Sequence, residues 1–193
     1  MTAQSPATAV PTTERAPQWA LAALCGTALA VAAALAAYSR VHPGNGAALT
    51  TLGFSGMLQM KAWLTTAATV LVVVQVTSAL AMWGRLPGVR DPRPWVSGLH
   101  RWTGTVAFVL TLPVVFHCVW SLGFEDDSTR VLLHSLAGCV FYGVFAAKML
   151  ALRLPGLPSV TVPLLGGLLA AVLVVVWFSS AFWFFGQSDY ASY

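Results

Sequence analysis

Two histidines, His117 and His134, flank the short acidic segment 124–130, and each sits inside an otherwise apolar stretch. Histidine within a membrane span is costly and marks a functional site. At 1.5 Å of rise per residue, a helical hairpin puts His117 about 9 Å and His134 about 6 Å from the shared end. Two imidazoles at one depth on neighbouring helices match the axial-ligand needs of a b-type haem. Gly138 follows His134 by one turn on the same face and leaves space for a porphyrin; Cys139 and Gly143 add room. Arg130 and Lys61 fall at the same end, as partners for haem propionates or as snorkelling cations. A haem with two imidazole ligands performs one-electron transfer, because no iron position stays open for a substrate. Two other readings stand beside this one. The histidines could hydrogen-bond across helices, to Ser121, Ser135 or a backbone carbonyl. They could also hold a non-haem metal, with His42 as third ligand.

His100 lies 17 residues before His117, on the same segment. That is about 25 Å along a helix, at its other end. The run His100-Arg101-Trp102-Thr103-Gly104 repeats the His-x-x-x-Gly spacing of His134 and Gly138. Arg101 could pair with a propionate of a second haem, but no second histidine occurs on that side. Met149 or Met82 would have to complete it. The alternative is a histidine facing headgroups or water.

These residues need elements to hold them, and composition says which. The chain has 193 residues, 58% hydrophobic and 8% charged. Soluble domains carry about 25% charged residues. The expected fold is therefore an all-α integral membrane protein, and soluble-enzyme and nucleic-acid-binding functions are excluded. Cys25, Cys118 and Cys139 all lie in apolar segments and read as small buried hydrophobes. No Cys-x-x-Cys occurs, which excludes covalent c-type haem attachment.

A span needs about 20 apolar residues, and five stretches qualify: 18–39, 57–84, 97–122, 130–152 and 160–185. Helices two to five are expected to form a four-helix core. Residues 1–17 read as a disordered tail and 187–193 as a short polar one. Ala34-Leu35-Ala36 resembles a signal-cleavage site, but the long, weakly charged leader favours a retained helix. Ser97 is a candidate N-cap, Ser128 closes a run of such candidates, and Pro113 should kink helix three one turn before His117. Gln75, alone in its apolar segment, reads as interhelical glue. Trp63, Trp120, Trp177 and Trp183 read as aromatic-belt residues. Helices two and four both stop at Arg-Leu-Pro-Gly, a cheap way to end a helix.

Seven of the ten Lys and Arg residues fall on one side when the N-terminus is inside: Arg15, Arg85, Arg90, Arg93, Arg101, Lys148 and Arg153. The positive-inside rule then gives N-in, C-out, with His117, His134 and the acidic loop on the outer side.

The stretch Leu99-His100-Arg101-Trp102-Thr103-Gly104, with Leu112-Pro113, Phe116-His117-Cys118 and Arg130 through Cys139, resembles a group of actinobacterial membrane proteins. That group is known only as a domain of unknown function, and the likeness spans helices two to five. More loosely, the hairpin is similar to the haem-bearing core of cytochrome b-type proteins, including ascorbate-reducible cytochromes and ferric reductases. That likeness implies four histidines and two haems. This chain matches the outer pair and has only His100 on the inner side.

The expected function is a multi-pass protein of the bacterial plasma membrane with one outer haem b. It would move single electrons between a quinol pool or partner subunit and an extracytoplasmic redox partner. Quinone is an expected small-molecule partner, and the acidic loop offers a docking surface. The alternative is a non-catalytic membrane subunit whose histidines serve only packing. A small transporter is disfavoured, since no acidic residue lies within a span and no inverted repeat with broken helices is visible.

Overall fold

The computed structural model describes residues 17–89 and 93–187. Most of both tails, with Arg15 and Arg90, lies outside the described residues. Five helices are long and apolar enough to cross a membrane. They are α1 (Gln18–Val41), α2 (Met57–Met82), α3 (Trp95–Leu122), α4 (Thr129–Ala151) and α5 (Thr161–Phe185). No strand occurs among the described residues. Outward side chains such as Leu29, Val73 and Leu164 are exposed and apolar, as a hydrocarbon surrounding requires.

Helix ends follow local chemistry. Ser128 caps α4, its side chain accepting the Val131 N–H at 3.3 Å. Ser97 is not a cap. Helix α3 begins two residues earlier, at Trp95, because Pro94 already has a helical backbone (φ −52°, ψ −31°). Pro113 cannot donate to the Val109 carbonyl, and from His117 to Leu122 the helix widens into a π-turn. Helix α5 widens in the same way over Phe178–Phe182.

The helices form a ring. Helix α3 packs on α2, α2 on α5, α5 on α4 and α4 on α1, and α1 returns to the π-turn that ends α3. Helix α1, set apart from the four-helix core by the sequence reading, thus closes one side of the bundle. Its contact with α4 is intimate: a Cβ on Gly143 would overlap the Ala28 carbonyl oxygen. Small residues allow this approach in helix pairs without a hydrophobic driving force.

Helices α3 and α4 are held apart by aromatic side chains. Phe108 and Phe145 stack at 3.8 Å between ring centroids. Beside them the Tyr142 hydroxyl reaches the carbonyl oxygen and Oγ1 of Thr111, both at 2.9 Å. Ala68, Phe141 and Leu173 make the buried core at this level. Beyond it, toward His134, the bundle stays open.

The α1–α2 connection folds over that open end. The Gly46 N–H donates to the Ser121 carbonyl (2.8 Å) and the Phe124 N–H to Ser39 (2.9 Å). Gly44 lies so close that a Cβ there would overlap the Ser121 carbonyl. Arg40 pairs with Asp126 at 2.7 Å across the same seam.

Candidate functional site

The opening between α3 and α4 is a partly open cavity with mainly apolar walls. All five helices line it, through residues such as Leu35, Lys61, Cys118, His134 and Leu173. The floor is Phe141 and Tyr142, and the mouth is Gly123, Phe124 and Glu125. Polar groups gather near the mouth and the deep walls are mainly apolar.

His134 enters this space from α4. Its Nδ1 lies 3.2 Å from Ser179 Oγ on α5. That hydroxyl donates to the Val175 carbonyl at 2.7 Å, so its lone pairs face the imidazole. The network therefore assigns the proton to Nδ1 and leaves the Nε2 lone pair for the cavity. Ser179 is a site residue that the sequence reading missed. It lies 45 positions away, and an alcohol in an apolar span has no period to reveal it.

One turn along from His134, Gly138 borders the cavity, and a Cβ there would meet no atom within 4 Å. Lys61 reaches the same space from α2. The Cys118 thiol faces it from α3 and interacts with both the Lys61 ammonium and the His134 imidazole. Cys139 lines the wall as well.

The other sequence-derived residues lie elsewhere. His117 is 1% exposed and is not brought to the cavity. Its Nδ1 is bonded to the Pro113 carbonyl at 2.7 Å, and its Nε2 accepts the Thr50 N–H at 3.5 Å. Both ring nitrogens are thus turned to backbone. Arg130 donates to the Ser179 carbonyl at 2.6 Å and stacks 4.0 Å over the Trp183 ring. It clamps the π-turn of α5 to the start of α4. Trp177 also leaves the simple belt role, since its Nε1 donates to Thr66 Oγ1 at 2.9 Å.

At the opposite end, His100 Nδ1 lies 2.8 Å from Ser78 Oγ on α2. Gln75 donates to the His100 carbonyl and to Thr103 Oγ1, both at 2.6 Å. This is the interhelical role expected of that glutamine. Lys148 is near enough to act on His100, and Arg101 is exposed on the far side of α3. No group of three or more His, Cys, Asp or Glu suited to a metal occurs among the described residues.

Comparison with known proteins agrees with the sequence reading in giving a family of unknown function and offers nothing for the cytochrome b-type likeness. No curated protein and no solved structure matches the chain. A family model covers residues 12–192, so the chain belongs to the family of unknown function DUF6529.

Proposed function

We propose that this chain is an electron-transfer protein of the bacterial plasma membrane whose cavity holds haem b on His134. The observation that carries the reading is the His134 imidazole. It borders the cavity, and a serine on another helix lies against its Nδ1. Metal-ligating histidines are oriented in this way by a bond at the second nitrogen. Haem, when bound, supplies one-electron chemistry.

The residues fit the group on the α4 side. His134 borders the cavity, Gly138 adds no side chain to its wall, and Lys61 reaches it from α2, where it would offer a cation to a propionate. His117 is favoured less, because its Nε2 accepts the Thr50 N–H and it is not among the residues that border the cavity. Arg130 is likewise favoured less, being committed to Ser179 and Trp183. We therefore place one protein ligand, His134, and set the two-histidine arrangement aside. The chain's own contribution is to orient that imidazole, to keep water from the apolar depth of the cavity and to balance negative charge with Lys61.

In this reading helices α2 to α5 are the core and α1 seals its flank. Arg85, Arg93, Arg101, Lys148 and Arg153 mark the inner side, giving N-in, C-out. The cavity mouth then faces outward beside the acidic loop. A quinol in the outer leaflet or a basic redox partner at that loop is the proposed exchange partner.

The test is a reduced-minus-oxidised visible spectrum of the full chain in detergent, with His134→Ala and His117→Ala. A haem b spectrum is expected in the parent, lost in His134→Ala and kept in His117→Ala. Loss in both folded variants restores the two-histidine ligation. A colourless parent, expressed with ample haem, overturns the reading in favour of a non-catalytic membrane subunit.

A further inference from the structure

We infer that the seam between α4 and α5 binds an anionic phospholipid, with its phosphate on Lys148 and an acyl chain in the groove beside it. The inference is independent of what the cavity holds. Lys148 lies in the last turn of α4, at the end of the bundle away from the acidic loop. Its side chain is half-buried, and its ammonium lies against α5. A Cβ on Gly166 would stand 3.6 Å from Lys148 Nζ. The glycine leaves room beside the cation for an anionic group.

Charge at this end is one-sided. Arg85, Arg93, Arg101 and Arg153 share it and are exposed. The described carboxylates, Glu125, Asp126 and Asp127, all sit in the loop at the opposite end, where Asp126 pairs with Arg40. Among the described residues, none forms an ion pair with Lys148. A cation held within a span is costly unless it is paired. The bilayer supplies the missing anion, since basic pockets between helices on the cytoplasmic side take the headgroups of anionic lipids.

The seam itself favours a lipid over a free phosphate ion. On its outward surface, Ala137 and Val140 of α4 and Ala171 and Val175 of α5 line a shallow apolar groove. Lys148 follows Ala137 by eleven residues, about three turns, so the two share one face of α4. On α5, Ala171 lies one turn from Gly167, the neighbour of the glycine against Lys148. Val140 stands about 12 Å along the axis from Lys148. That is within the half-thickness of about 15 Å of the hydrocarbon layer. A lipid whose phosphate sits on Lys148 therefore reaches the groove with its chain, whereas a phosphate ion leaves the groove unused.

The experiment uses the full chain in detergent, mixed with equal amounts of phosphatidylglycerol and phosphatidylcholine and read by native mass spectrometry. Far-UV circular dichroism verifies the folding of each variant. The parent is expected to retain phosphatidylglycerol in preference to phosphatidylcholine. Lys148→Gln is expected to hold phosphatidylglycerol about fivefold more weakly, the worth of one cation at an anionic lipid. Arg101→Gln, which removes an exposed cation from the same end, is expected to bind as the parent does. Excess inorganic phosphate is expected to leave the lipid bound.

A parent with no preference for phosphatidylglycerol overturns the inference, whether or not the variants fold. Unchanged binding in folded Lys148→Gln overturns it as well. Equal weakening in Arg101→Gln and Lys148→Gln replaces the site with a diffuse attraction to the basic face. Release of the lipid by inorganic phosphate assigns Lys148 to a free anion instead. None of these outcomes bears on the haem reading, which the visible spectrum tests.

Discussion

Two of the helices, α3 and α4, carry the His-x-x-x-Gly spacing, and the two copies have opposite surroundings. Each histidine bonds through Nδ1 to a serine on a neighbouring helix, His100 to Ser78 and His134 to Ser179. Each serine also returns a bond to its own helix, at Val74 and Val175. The copies part company at the glycine. A Cβ on Gly104 would meet the Gln75 side-chain oxygen at 3.0 Å, whereas one on Gly138 would enter open space. At His100, α2 and α3 close on each other. At His134, stacked aromatics hold α3 and α4 apart and a cavity remains. A spacing on one helix presents two groups on one face, and the neighbouring helix decides whether that face becomes a contact or a site.

This contrast can be broken in order of expected effect. His134→Ala should abolish the cofactor spectrum, while His100→Ala should leave the haem-to-protein ratio unchanged. Loss of haem in His100→Ala would show that the closed copy also binds.

Exchanging the glycines comes next. Gly138→Leu should fill the cavity and block haem uptake with little change in thermal unfolding. Gly104→Leu should keep haem but lower stability by about 1–3 kcal/mol, the usual cost of overpacking. Unfolding midpoints and haem titration on the same samples separate the two.

Ser179→Ala should weaken haem affinity about 10–100-fold, as removal of a ligand's orienting partner does. Ser78→Ala should leave affinity unaltered. Equal affinities in the two variants would mean that Ser179 does not orient His134.

The smallest effect is expected for Gln75→Leu. It removes two of the bonds that join α2 to α3 and should cost roughly 0.6 kcal/mol, up to about 1.7. Reversible unfolding in mixed micelles measures it, and haem uptake should not change.

Much of this molecule is legible in one dimension. Apolar length fixes the five spans, because a span must satisfy its own backbone and meet hydrocarbon. The Ser128 cap and the joining role of Gln75 follow from side-chain chemistry that acts at short range.

Azimuth is what the sequence leaves open. Reading which face a residue occupies assumes 3.6 residues per turn. Neighbouring residues on a helix point about 100° apart, and here His117 lies against Thr50 while the adjacent Cys118 lines the cavity. Arg130 was expected to meet a cofactor and instead meets the Ser179 carbonyl, which only the packing of α4 on α5 brings within reach. The sequence by itself determined the helices and their order, because those depend on local apolarity. The tertiary structure decided which histidine faces a cavity, because that depends on the phase of each turn and on aromatic spacers between helices far apart in the chain.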